Sequence, residues 1–219
     1  LGFLAGCMTG LLHTFGKINN LLSGILMMIA LYSINLRIMG RPNISMLNTE
    51  TAFSKIQDLF EKTGIDASLN KLLTMIGLGD SLPETWGILI IMILVTFVIK
   101  FLTDWFLQTE VGLAIRATGD NNRMIRSFSA NTNLLTVLGL GISNALVAFS
   151  GALIAQQGGF ADVGMGIGMI VIGLASVIIG EALFGTKTIV RTTFAVIGGS
   201  IIYRIVVSLA LRIEFLDPG

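Results

Sequence analysis

Apolar runs alternate with short polar breaks along most of the chain. A bilayer core about 30 Å thick needs about 20 apolar residues per helix. On that measure residues 18–36, 86–107, 136–156, 163–184 and 194–211 each read as a membrane-spanning helix, and residues 1–12 as a fragment of another. In the fragment, Gly2, Gly6 and Gly10 recur every four residues and share one helix face. Small residues at that spacing let a neighbouring helix approach closely. The expected class is an all-α, polytopic membrane helix bundle, forming a single transmembrane domain over residues 1–219.

Two segments break the pattern. The first, residues 37–85, holds two amphipathic stretches. In TETAFSKIQDLFEKTG, Phe53, Ile56, Leu59 and Phe60 line one face and Gly64 is a stop signal. In ASLNKLLTMIGLG, Leu69, Leu72, Leu73 and Ile76 repeat at helical spacing. Both are too short and too polar to span, so they either cap the bundle at the membrane surface or offer a docking surface to a partner. The second segment, residues 109–135, contains TEVGLAIRATGDNNRMIRSF. Gly119 is expected to release the chain from helical geometry, and Asp120 or Asn121 to cap a new short helix. Beyond the cap, Met124, Ile125 and Phe128 are expected on one side, with Arg123 and Arg126 beside them. A solvated loop has no use for that apolar trio. A spanning helix would not tolerate the arginines, each costing about 2.5–3.5 kcal/mol at the bilayer centre. What remains is a short helix with an apolar knob and a basic flank, lying at the inner surface on the membrane or on another protein.

Composition makes lipid the solvent: 53% of residues are hydrophobic, mean hydropathy is +0.85, and only 12% are charged, about half the usual share in a soluble domain. A net charge of +1 gives no basic footprint for nucleic acid. The single cysteine, Cys7, excludes an intrachain disulfide and a thiol metal site. If 109–135 is cytoplasmic, alternation places 13–17 and 185–193 there too, and makes 37–85 extracytoplasmic. Lysines and arginines then number six on each side, counting Lys17, Arg116, Arg123, Arg126, Lys187 and Arg191 as inner. The inner loops are shorter, so their density of positive charge is higher, and Lys100 tilts the balance further. The chain opens LGFLAGCMTG, without an initiator methionine or basic leader, and stops at LDPG, so both ends are expected to be truncated.

Chemical candidates are few. GEALFGTKT (180–188) is not a phosphate loop, because Thr186 separates Gly185 from Lys187. GGFADVGMGIGM (158–169) reads either as a broken or re-entrant helix start or as a tight turn followed by close packing. Lys100 and Asp104 are spaced to pair at i,i+4. Arg204 either snorkels to the surface or pairs with Asp162, and Glu181 is expected to pair with Lys187. Asn35, Ser143, Asn144, Gln156 and Gln157 are polar groups within or beside the spans that either line a pathway or bond between helices. His13, alone among histidines, has no carboxylate near it in sequence. No nucleophile, base or metal set converges, so no catalytic, cofactor or metal site is expected.

The run GLAIRATGDN resembles the cytoplasmic coupling loop of ABC-importer permeases of the branched-chain amino acid and ribose type. KINNLLSGILMMIALYSINLRIMGRPN (17–43) and QQGGFADVGMGIGMIVIGLASVIIGEALFG (156–185) are similar to a subgroup assigned to amino acids, aromatic ones in some members. Three matching stretches in order cover essentially the whole chain. One departure is clear: where such loops continue with a Leu-Gly-hydrophobic-Asn turn, this chain has SFSANT. The resemblance implies a type II importer permease fold with further helices before and after this span. It implies a bacterial cytoplasmic-membrane location and a second permease subunit, with a homodimer expected. An extracytoplasmic solute-binding protein and an ABC ATPase are the other partners, and the ATPase, not this chain, binds ATP and Mg. Gly112, Arg116, Gly119, Asp120, Asn121, Arg123, Met124, Ile125, Arg126 and Phe128 would form the ATPase-coupling element. The rival reading is a self-contained secondary transporter or channel. That reading asks for buried ion-coupling carboxylates, and the candidates, Asp162 and Glu181, stand at helix ends. A membrane enzyme is the third reading and lacks a catalytic set.

Overall fold

The computed structural model describes residues 1–46, 49–63 and 86–212. Nine helices and one two-stranded ladder occur among these residues. In chain order they are α1 (Gly2–Thr14), α2 (Asn20–Met39), β1 (Asn43–Ser45), α3 (Ala52–Thr63), α4 (Trp86–Gln108), α5 (Glu110–Asp120), α6 (Asn122–Ser127), α7 (Thr132–Gly158), β2 (Phe160–Asp162), α8 (Met169–Phe184) and α9 (Ile189–Ala210). The second amphipathic stretch, ASLNKLLTMIGLG, lies outside the described residues. Four helices, α2, α4, α7 and α9, are long and apolar enough to cross a membrane. Their side chains are mostly exposed within the chain, as expected where lipid rather than water surrounds the helices.

One compact unit comprises residues 1–99 and 140–163. Its α2 starts where the Asn19 side chain accepts from Leu21 N–H and stops at Gly40, whose φ of 71° only glycine takes cheaply. The face shared by Gly2, Gly6 and Gly10 packs as its spacing requires. A Cβ on Gly2 would stand 2.7 Å from the Asn144 carbonyl oxygen, one on Gly6 would strike the Leu140 carbonyl, and Gly10 is buried. Nothing in the sequence announced the β ladder. Asn43, Ile44 and Ser45 pair antiparallel with Asp162, Ala161 and Phe160. Bonds from Met46 N–H to Gly159 O and from Val163 N–H to Pro42 O extend it at both ends. It ties the segment after α2 to the end of α7. The helix α3 begins with a reciprocal cap, Thr51 N–H to Ser54 Oγ and Ser54 N–H to Thr51 Oγ1. The Gln156 side chain accepts from Ala52 N–H at 3.1 Å. Phe53 is buried, and the Phe60 ring lies where a Cβ on Gly87 would stand.

The other unit comprises residues 100–139 and 164–219. Its centre is the α8–α9 hairpin. Here Gly180 and Gly199 bring backbone against backbone around Ala195, which is wholly buried, and Ser176. Gly185, at φ 74°, ends α8, and Thr188 Oγ1 accepts from Arg191 N–H to start α9. The helix expected over 163–184 is corrected at its start, because residues 163–168 form turns and α8 begins only at Met169. Gly164, Gly166 and Gly168 explain this: glycine costs a helix about 1 kcal/mol per residue relative to alanine. Close packing does not follow, since nothing lies within 4 Å of a Cβ built on Gly166 or Gly168.

Candidate coupling site

The polar island is more helical than its glycines imply. Thr109 starts α5, its hydroxyl accepting from Gly112 N–H at 3.3 Å, and Glu110 in the first turn suits the positive end of the helix dipole. The expected break at Gly119 is corrected: Gly119 lies inside α5, which runs to Asp120. The break falls at Asn121 instead, at φ −147° and ψ 88°, and the Asn121 side chain, not that of Asp120, caps α6 through Met124 N–H at 3.1 Å. Gly112 has a different use from a release of the helix. A Cβ there would stand 2.6 Å from Leu107 Cα and strike the Phe106 carbonyl, so α5 folds tightly against the last turn of α4. Gly112 and Thr118 are buried.

The apolar trio is not one knob. Ile125 is 8% exposed, whereas Met124 is 49% and Phe128 is 74% exposed. Consecutive helix positions lie about 100° apart, which turns Met124 away from Ile125, and Phe128 stands past the last turn as the C-cap of α6. Ile125 therefore anchors α6 to its own unit while Met124 and Phe128 face outward. The arginines divide by what they bond. Arg116, Arg123 and Arg126 are all exposed, but Arg126 alone also bonds inward: its Nε donates to the buried Thr132 hydroxyl at 3.1 Å, tying α6 to the first turn of α7. Between the two helices Ser129 takes φ 60°, and the Asn131 side chain accepts from Leu134 N–H. Serine thus holds a left-handed position of the kind that favours glycine.

Just before α5 lies a buried ion pair. Lys100 Nζ pairs with Asp104 Oδ2, both side chains being less than a tenth exposed. Asp104 Oδ1 accepts from Thr193 Oγ1 of α9 at 2.6 Å, and Lys100 Nζ sits 4.1 Å from the centre of the Phe194 ring. Thr193 was not among the residues the sequence singled out. A lone threonine in a span carries no periodic signal.

The other candidates scatter. Glu181 and Lys187 are both exposed and, among the described residues, make no ion pair with each other. That expectation is corrected: the Gly185 turn ends α8 between them, and it is Arg191 Nε that bonds the chain there, to Phe184 O. Asp162 sits in β2 opposite Asn43, and Arg204 is exposed on α9. Of the polar span residues, Asn144 bonds its own helix at Leu140 O and Gln156 serves as the cap on α3, while Asn35, Ser143 and Gln157 are exposed. Among the described residues no three His, Cys, Asp or Glu side chains converge as a metal site would require.

Comparison with known proteins fits this architecture. A family model described as the branched-chain amino acid transport system permease component matches residues 1–214. The chain is similar to a tyrosine transport system permease protein of Clostridioides difficile (strain R20291). Identity is 40% over 216 residues, covering 99% of this chain and 63% of that protein. It is also similar to an uncharacterised protein of Rickettsia prowazekii (strain Madrid E), 33% identical over 150 residues, or 68% of this chain and 44% of that one. The chain therefore spans less than two thirds of the length of these curated relatives. No solved structure matches it.

Proposed function

We propose, for a chain that belongs to the branched-chain amino acid transport permease-component family, the role of membrane subunit in an ABC importer of amino acids. The importer works in the bacterial cytoplasmic membrane and carries an aromatic amino acid such as tyrosine. The family match over nearly the whole chain carries this reading, and the tyrosine transport for which the C. difficile relative is named supports the substrate class. ATP and Mg are held by a separate ATPase, a solute-binding protein delivers substrate from outside, and a second permease copy completes the pathway. This chain does no chemistry of its own.

The division of labour within α5–α6 supports a coupling role. A motor moves a membrane bundle only through a contact whose free energy differs between two states of the bundle. Such a contact needs an outward face to be gripped and an inward face that does not yield. Met124, Phe128 and Arg123 supply the outward face, with apolar area for burial and charge for orientation. Ile125, Arg126 and Gly112 supply the inward one.

The test is uptake of labelled tyrosine into proteoliposomes holding the complete permease with its ATPase and binding protein. Uptake is expected to need all three proteins and ATP, and to exceed uptake of leucine or ribose. Equal uptake by the permease alone, driven by an ion gradient, would establish the rival secondary-transporter reading instead.

A further inference from the structure

One cluster has no part in that role: the buried Lys100–Asp104 pair with the half-buried Thr193 and the exposed Phe194. Both members of the ion pair on α4 reach α9, the carboxylate through the Thr193 hydroxyl and the ammonium through the Phe194 ring. The Thr193 hydroxyl has one proton and three acceptors in reach. Asp104 Oδ1 at 2.6 Å is nearer than Val190 O at 3.1 Å or Ile189 O at 3.3 Å. It is also the ionised acceptor, so it takes the bond. A turn beyond Asp104, Phe106 and Leu107 form the surface on which Gly112 seats α5. On the far side, Ala195 and Gly199 of α9 lie backbone to backbone against Ser176 and Gly180 of α8. All of these contacts fall within the unit of residues 100–139 and 164–219.

We infer that Thr193, through its bond to Asp104, is a positioning residue that makes α9 follow the α4–α5 corner, so that displacement of the coupling element is delivered to the α8–α9 hairpin. The inference rests on the importer reading. Apolar packing resists sliding only through the fit of interlocking side chains. A hydrogen bond to a buried carboxylate, itself fixed by an ion pair, sets one register and resists shear.

The experiment measures tyrosine imported per ATP hydrolysed in the reconstituted complex. Thr193→Val keeps the shape and removes the bond. It is expected to leave assembly and ATP turnover in place and to lower import per ATP about fivefold, within the range such coupling changes show. Thr193→Ser, which keeps the hydroxyl, is expected to restore it. The same comparison is made in a Lys100→Met/Asp104→Asn background, where the amide oxygen still accepts from Thr193 and no charge is left buried. There coupling is expected to persist and to fall on adding Thr193→Val. If Thr193→Val misassembles, this background decides. Import per ATP unchanged by Thr193→Val in either background, or lost equally with Thr193→Ser, overturns the inference. A wild-type complex that shows no ATP-driven uptake refutes the importer reading itself, and the two failures are thereby distinguished.

Discussion

A methyl group added at Gly199 measures how tightly the α8–α9 hairpin is closed. The new Cβ would be driven into the Ser176 carbonyl oxygen and stand 2.6 Å from Gly180 N and 2.7 Å from Gly180 Cα. Carbon contacts are optimal at about 3.5–4.0 Å. Every obstructing atom is backbone, so no rotamer change relieves the clash and the helices must part by about 1 Å. Overpacking of this kind costs about 1–3 kcal/mol. Against it, alanine gains about 1 kcal/mol over glycine in helix propensity. Because only backbone can give way, the cost falls at the upper end of that range, for a net loss of about 2 kcal/mol, and in a chain of this size each kcal/mol lowers the melting temperature by about 2–4 °C. Gly173→Ala on the same α8 is the control. Nothing lies within 4 Å of its Cβ, so only the propensity gain acts. The assay heats the detergent-solubilised permease and scores the monodisperse fraction by size exclusion. Gly199→Ala is expected to melt several degrees below wild type and Gly173→Ala at or above it. Equal melting of the two variants would refute the claim that backbone contact closes this crossing.

The split of α6 into an anchored and an outward side gives further tests. Ile125→Ala is expected to lose about 2–4 kcal/mol of stability. Met124→Ser with Phe128→Ser is expected to stay within about 0.5 kcal/mol of wild type while failing to retain the ATPase in pull-downs. Arg123→Glu is expected to lower partner-stimulated ATP turnover with melting unchanged, whereas Arg126→Ala, which strips the buried Thr132 of its partner, is expected to lower melting by about 1–3 kcal/mol equivalent; a reversed pattern would show that the two arginines have exchanged roles. Gln156→Leu removes a cap worth about 1 kcal/mol and is expected to speed proteolytic cleavage within residues 49–63, a change readable by limited digestion.

The spans were legible because lipid imposes a simple rule: about 20 apolar residues in register with a bilayer. That rule located α2, α4, α7 and α9 to within a few residues. It missed the start of α8, where glycines rather than polarity end the helix. The short helix at 122–127 was legible because an Asx cap and an apolar trio are local signals. The α5 helix was overlooked although its signals are also local: Thr109 as cap, Glu110 in the first turn, and a periodic run through Val111, Ala114 and Ile115. Gly119 outweighed them in a reading by residue type, and one solvent-facing glycine is a small cost to a capped eleven-residue helix.

Sequence by itself determined that this chain lives in lipid and that a basic, helix-forming island separates two of its spans. Both follow from transfer free energies that each residue carries wherever it is placed. Tertiary structure alone decided which side of that island is held and which is offered, and brought the Gln156 side chain to the first turn of α3. It also brought Thr193 to a carboxylate 89 positions away. Those choices depend on where a second helix stands, and the buried hydrogen bonds and backbone contacts that fix its place join residues whose separation in the chain leaves no periodic trace.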